Sequence, residues 1–198
     1  MIEIRDILDR ETAMEGRCAP WKPLWQDVFD YVLPFHNPVQ NARALPQNRA
    51  EKRFDSTATH LLRRLASTVG SLTANPNEDW LGIEAERRTG NGWEPVEDQG
   101  TIRWLDGTIG PYLDALRVSN FYPEFGGFLE EMVGPGTGSI FMDEKRITGP
   151  GFQGFRFRTL GAGEFLIDED DLGAIDTMMR PMKLTARQAK LKFPNATL

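Results

Sequence analysis

The sequence predicts an α+β fold: an N-terminal helical region of about five helices, a small antiparallel β region, and a short C-terminal helix. Three observations carry this. Before residue 135, apolar residues recur at steps of three and four, the period of a helix with one buried face. After it, apolar and polar residues alternate, as they do along a half-buried strand. Between the two textures, Gly134-Pro135-Gly136-Thr137-Gly138 breaks the chain. Helices followed by strands, rather than interleaved with them, give the α+β order and two regions, 1–135 and 136–198.

The first helix is expected over residues 2–15, with Ile4, Ile7, Leu8 and Met14 on one face, and Ala19-Pro20-Trp21-Lys22-Pro23 punctuates it. A second, over 24–33, carries Trp25, Phe29 and Val32 as a stripe and stops at Pro34. Residues 34–48 hold three prolines and several Asn and Gln, the composition of an exposed loop or arm. The third helix occupies 55–74. Asp55 or Ser56 can cap its first turn, Ala58, Leu61, Leu62, Leu65, Val69 and Leu72 form its apolar face, and Asn75-Pro76 closes it.

Trp80–Glu84 reads as a short strand and Asn91-Gly92 as a turn. The fourth helix, over 95–117, keeps its period through Ile102, Leu105, Ile109, Tyr112, Leu113 and Leu116. Gly107, Gly110 and Pro111 in its middle point to a kink or a break. Ser119-Asn120 caps a fifth, faced by Phe121, Phe125, Phe128, Leu129 and Met132. Strands follow at 139–143, 152–159, 164–168 and 174–183, with Phe155 and Phe157 on one face of the second and Arg156 and Arg158 on the other. Thr185 caps a last helix over 186–192, which Phe193-Pro194 ends.

At 198 residues, 40% hydrophobic and 26% charged, the chain has the composition of a globular protein with one core or two small lobes. No run reaches the roughly 18 apolar residues of a membrane span, and the charged, amphipathic N-terminus is not a signal peptide. The single cysteine, Cys18, excludes an intrachain disulfide and fits a reducing compartment. A net charge of −6 argues against a freestanding nucleic-acid binder, although a basic patch remains compatible with it.

That charge is segregated. Between residues 43 and 64 lie Arg43, Arg49, Lys52, Arg53, Arg63 and Arg64 against Glu51 and Asp55 alone. Between 164 and 176 lie Glu164, Asp168, Glu169, Asp170, Asp171 and Asp176 with no base. Two readings stand: a contact between these segments, within one chain or head-to-tail between copies, or two separately solvated surfaces. The basic segment could also contact DNA phosphates.

No catalytic, cofactor or metal site is expected. Gly149-Pro150-Gly151-Phe152-Gln153-Gly154 matches a dinucleotide fingerprint, but acids and bases precede it and a strand follows it, the setting of a hairpin turn. Gly134–Ser139 lacks the lysine of a phosphate loop. Asp168-Glu169-Asp170-Asp171 resembles the start of a calcium loop, but Met179 stands where the bidentate glutamate belongs. His36 and His60 have no second ligand at zinc spacing. A nucleotide-dependent or hydrolytic enzyme using the glycine-rich loops, and a small DNA-binding module using residues 43–64, are the competing classes.

The order of motifs supplies a further reading. Trp25, Tyr31-Val32-Leu33-Pro34, Phe54-Asp55-Ser56-Thr57-Ala58, Leu65-Ala66-Ser67 and Asn75-Pro76-Asn77-Glu78-Asp79-Trp80 come first. Ser119-Asn120-Phe121-Tyr122, Gly136-Thr137-Gly138, Arg180 and Leu184-Thr185-Ala186-Arg187-Gln188 follow. In this order they resemble the head-to-tail connecting (portal) proteins of T7-like short-tailed bacteriophages, over essentially the whole chain. The resemblance implies a non-enzymatic structural subunit of a ring, dodecameric in such proteins, at one capsid vertex of the virion, assembled in the host cytoplasm. Double-stranded DNA would pass through the ring, and terminase, capsid and tail or adaptor proteins would be its partners, with no membrane. The match is to the N-terminal portion of such proteins, with 1–135 as the helical and 136–198 as the β-rich part of the wing. The channel-lining helix and the clip are expected beyond Leu198. Arg49, Lys52, Arg53, Arg63 and Arg64 on one surface, and Asp168, Glu169, Asp170 and Asp171 on another, are the candidate subunit-interface or DNA-facing residues.

Overall fold

The computed structural model describes residues 4–33, 55–90, 92–145, 151–182 and 184–193. In chain order these form α1 (Ile4–Cys18), α2 (Lys22–Tyr31), α3 (Thr57–Thr73), β1 (Glu86–Thr89), β2 (Gly92–Pro95), α4 (Gln99–Val118), α5 (Phe121–Val133), β3 (Ser139–Glu144), β4 (Phe155–Leu160), β5 (Leu166–Glu169), β6 (Ile175–Met179) and α6 (Ala186–Lys192). The class is α+β, as expected. The strands make three separate antiparallel pairs, β1–β2, β3–β4 and β5–β6, rather than one sheet. The chain divides into two compact units, Met1–Leu24 with Gly163–Leu198, and Trp25–Ala162.

The larger unit holds two apolar clusters. In the first, Trp25, Phe29 and Leu33 meet Leu62 of α3 and Ala162. The face that α3 buries is Thr59, Leu62 and Ala66, while Leu61, Leu65 and Leu72 of the expected apolar face lie exposed. The expectation was therefore turned by part of a helical turn, and the reason is closeness of packing. A Cβ on Gly70 would sit 3.1 Å from the Leu129 side chain, so small residues on this face are what let α3 approach α5. Thr59 belongs inside because its hydroxyl donates to the Val32 carbonyl at 2.7 Å. Asp55, not Ser56, organises the start of α3, accepting from the Thr57 N–H at 2.9 Å, and that hydrogen bond holds its carboxyl below the usual aspartate range.

In the second cluster, Leu113 and Leu116 of α4 pack against Phe157 of β4, with Trp80, Tyr112, Phe121 and Phe155 around them. Residues 80–84 are not a strand. Trp80 and Leu81 both turn inward, and the Trp80 ring stacks on Phe121 with centroids 6.0 Å apart, so the alternation a strand needs is lost. The neighbouring hairpin β1–β2 takes the strand geometry instead, with Thr89 opposite Gly92 in register. Gly92, with φ of 131°, adopts a conformation that favours glycine. Asp98 caps α4 through the Thr101 N–H at 2.8 Å, and α4 runs unbroken through Pro111. The proline ring crowds the carbonyl of residue 107, and glycine there leaves that peptide room to tilt.

Asn120 does something the sequence does not announce. It makes no cap to α5; Ser119 accepts from the Phe121 N–H instead, at 3.0 Å. The Asn120 side-chain amide turns to β4, donating to the Phe157 carbonyl and accepting from the Phe157 N–H, each at 2.8 Å. Glu124, one turn on, accepts from the Thr159 N–H at 2.6 Å. Asn120, just before α5, and Glu124 in its first turn thus take the place of a neighbouring strand along β4. At the other end of α5, the buried Glu131 accepts from the Ala162 N–H at 3.0 Å, beside a Gly161 where a Cβ would fall 3.0 Å from its carboxylate.

In the smaller unit, α1 packs on β5 of the β5–β6 pair. The α6 helix ends the described chain with a capping box between Thr185 and Gln188, as the sequence predicts.

Candidate assembly surfaces

The acidic segment is not one uniform patch. Asp168 lies on β5 with only 11% of its side chain exposed, and it is met by two arginines of α1. Arg17 approaches its carboxylate at 2.6 Å and Arg10 at 3.4 Å, while Arg10 also reaches Asp176 at 3.3 Å. Arg10, Met14 and Arg17 follow at steps of four and three, so they share one helix face, and Met14 between them is fully buried. Burial pushes the Asp168 carboxyl up. Arg17, the Glu169 N–H and Arg10 together outweigh that and leave it below the usual aspartate value.

Asp170 is used by its own turn, accepting from the N–H groups of Leu172 at 2.9 Å and Ala174 at 2.8 Å, with Gly173 at φ 80° completing the reversal. Glu169 and Asp171 are exposed. Of the basic residues, Arg63 pairs with Glu130 at 3.6 Å, and Arg64 stands exposed on α3. Arg49, Lys52 and Arg53 lie outside the described residues, as do Arg43 and the start of the glycine-rich match at Gly149. Asp168 and Arg63 therefore find charge partners within the chain, and Glu169, Asp171 and Arg64 have none among the described residues.

The sequence reading did not single out Arg10 or Arg17. Their shared helix face with Met14 was the available signal, and it points to an internal clamp on Asp168. It also did not foresee how much apolar surface stays outside: Leu61, Leu65 and Leu72 along α3, Trp93 at 67% exposure, and Trp104 at 68%. Leu61, Leu65 and Leu72 follow one another along α3, an exposed apolar stripe of the kind that marks a contact surface.

Comparison with known sequences gives the family. The chain belongs to the bacteriophage head to tail connecting proteins, whose family model matches residues 5–198. It is also 29% identical over 194 residues to a protein of Bordetella phage BPP-1 described as a probable portal protein, an alignment that takes in 94% of this chain. The chain spans about a third of that relative's length, 32%. Among the described residues, no helix is long and apolar enough to cross a membrane.

Proposed function

We propose that this chain is a portal subunit, or the N-terminal part of one. It would form a ring at a capsid vertex for DNA packaging, DNA ejection and tail attachment. The family match over residues 5–198 carries the reading. The role is structural rather than enzymatic. The ring is dodecameric, with residues 1–135 as the helical and 136–198 as the β-rich part of its wing. Its partners are further copies of itself, terminase, capsid and tail or adaptor proteins, and the double-stranded DNA that passes through. It is a component of the virion, assembled in the host cytoplasm. Arg49, Lys52, Arg53, Arg63 and Arg64 supply one surface of the contact between copies, and Asp168, Glu169, Asp170 and Asp171 the opposing one. The exposure of Arg64, Glu169 and Asp171 supports this pairing.

Negative-stain images and light-scattering mass of the purified chain test the reading. Rings are expected, and substitution of Arg53→Glu with Arg63→Glu lowers their yield, as does added salt. A monomer at every concentration would overturn ring formation by this stretch. In the same preparation, thermal unfolding with added nucleotides or divalent metals is expected to show no stabilisation; a ligand-dependent rise would favour an enzyme instead.

A further inference from the structure

Two hairpins of the larger unit each keep one strand edge open, and the two edges are opposite in charge. The hydrogen bonds fix which edges these are. Because Phe157 and Thr159 direct their backbone groups to α5, Arg156, Arg158 and Leu160 are the residues of β4 that face β3. Their partners in register are Asp143, Phe141 and Ser139. Ile140, Met142 and Glu144 therefore turn their backbone groups to the other side of β3. The Glu144 N–H is taken by Asp143 at 2.9 Å. The N–H and C=O of Ile140 and Met142, and the C=O of Glu144, have no partner among the described residues.

The same accounting applies to β1–β2. The Val96 N–H donates to the Ala85 carbonyl at 2.9 Å, which places Ala85, Arg87 and Thr89 in the inward-facing phase. Glu86 and Arg88 thus face outward from β1, their N–H and C=O without a partner among the described residues. On β2 the corresponding residues are Trp93 and Pro95, and Pro95 has no N–H to offer, so that edge is blunted. Nearly every residue of this hairpin is exposed. A two-stranded ribbon with neither face packed is marginal in water, and a third strand is what stabilises it.

Charge then chooses the partner. Arg87 and Arg88 lie on β1 and Asp143 and Glu144 on β3, all four exposed and none in an ion pair among the described residues. We propose that the β1 edge of one copy adds to the β3 edge of the next, building a four-stranded sheet across the subunit boundary with Arg87 and Arg88 against Asp143 and Glu144. An open edge gains its affinity from backbone hydrogen bonds, and flanking charges select the strand that joins it. The two edges are different surfaces of the same chain, so the contact is head-to-tail, the kind that closes into rings. This contact rests on the portal-ring reading and adds to it which strands meet.

The test is a charge exchange read by light-scattering mass across a concentration series. One variant of the chain carries Arg87→Glu with Arg88→Glu, and the other carries Asp143→Lys with Glu144→Lys. Each alone sets like charges on both edges, and assembly is expected to need about tenfold more protein than the unsubstituted chain. An equimolar mixture pairs each altered edge with a complementary one on the other variant, so assembly at the unsubstituted concentration is expected to return. Only a contact between different molecules gives that recovery. If both variants assemble as the unsubstituted chain does, or the mixture fails to recover, the strand contact is wrong while the ring stands. If the unsubstituted chain itself stays monomeric, the ring reading for this stretch falls and the contact falls with it.

Discussion

The hairpins β3–β4 and β5–β6 are each closed against a helix, by different chemistry. On β4, the neutral Asn120 amide satisfies both backbone groups of Phe157, and Phe121 packs edge-on to the Phe157 ring with centroids 5.1 Å apart. On β5, two arginines of α1 converge on the carboxylate of Asp168. The first closure rests on a ring contact and a neutral amide at Phe157, with the Glu124 carboxylate taking the Thr159 N–H beside it. The second depends on a charge that acid removes and salt screens. One chain thus has one hairpin whose Phe157 groups are met by a neutral amide and one held by an ion pair.

The largest expected effect lies in the first hairpin. Phe157→Ala removes a ring from the second apolar cluster, and the free energy of unfolding measured in urea is expected to fall by about 3–5 kcal/mol. Next comes Asn120→Ala, which leaves the Phe157 N–H and C=O without partners and is expected to cost about 1–3 kcal/mol, equally at low and high salt. Asn120→Asp keeps the acceptor but sets a carboxylate against the Phe157 carbonyl and Glu124, so its loss should exceed that of Asn120→Ala at low salt and shrink as salt rises; a salt-dependent loss in Asn120→Ala would mean that this pairing is not the neutral one described.

Asp168→Asn is expected to act locally. Hydrogen exchange should quicken along α1 and β5 and stay unchanged in α5, and the difference from the unsubstituted chain should shrink as salt rises. The pH dependence has a definite sign. The folded-state carboxyl of Asp168 is lowered, so its contribution is fully present above the ordinary aspartate value and is lost as pH falls through the lowered one. Exchange of α1 should therefore quicken in that acid window, and that of the Phe157 amide, held by the neutral Asn120, should not; equal loosening of the two would erase the contrast. The smallest effect belongs to Thr185→Ala, which removes half of the capping box. Fraying of α6 is expected, seen in its amide exchange, with the main unfolding transition unmoved.

Much of this was legible from sequence. The periods of α4 and α5 and the alternation of β4 place those elements, because each pattern has one face to bury; α1 forms where expected, but of its expected face Met14 is buried while Ile4, Ile7 and Leu8 are exposed. On α3 the pattern is ambiguous, since Leu61 and Leu65 and Leu62 and Ala66 both repeat at helical steps. The choice is made by α5, whose Leu129 comes close over Gly70 on the Leu62–Ala66 side of the helix. Asn120 looks like a helix cap in any local reading, and its real partner lies 37 residues away. The arginine clamp on Asp168 spans 158 residues from Arg10. Local propensity does not register contacts of that separation. The acidic run was visible as a run, but which of its members were already engaged depended on the fold.

Pro95 carries a consequence of another kind. A ribbon able to accept strands on both sides could lengthen without limit, as fibrils do. In β1–β2 the proline dulls one side, and in β3–β4 Asn120 and Glu124 occupy one side, so each ribbon has a valence of one. Two such ribbons that meet use up each other's capacity, and the sheet stops at four strands. Replacing Pro95 with a residue that has an N–H would restore the second valence, and with it a route to disordered aggregation.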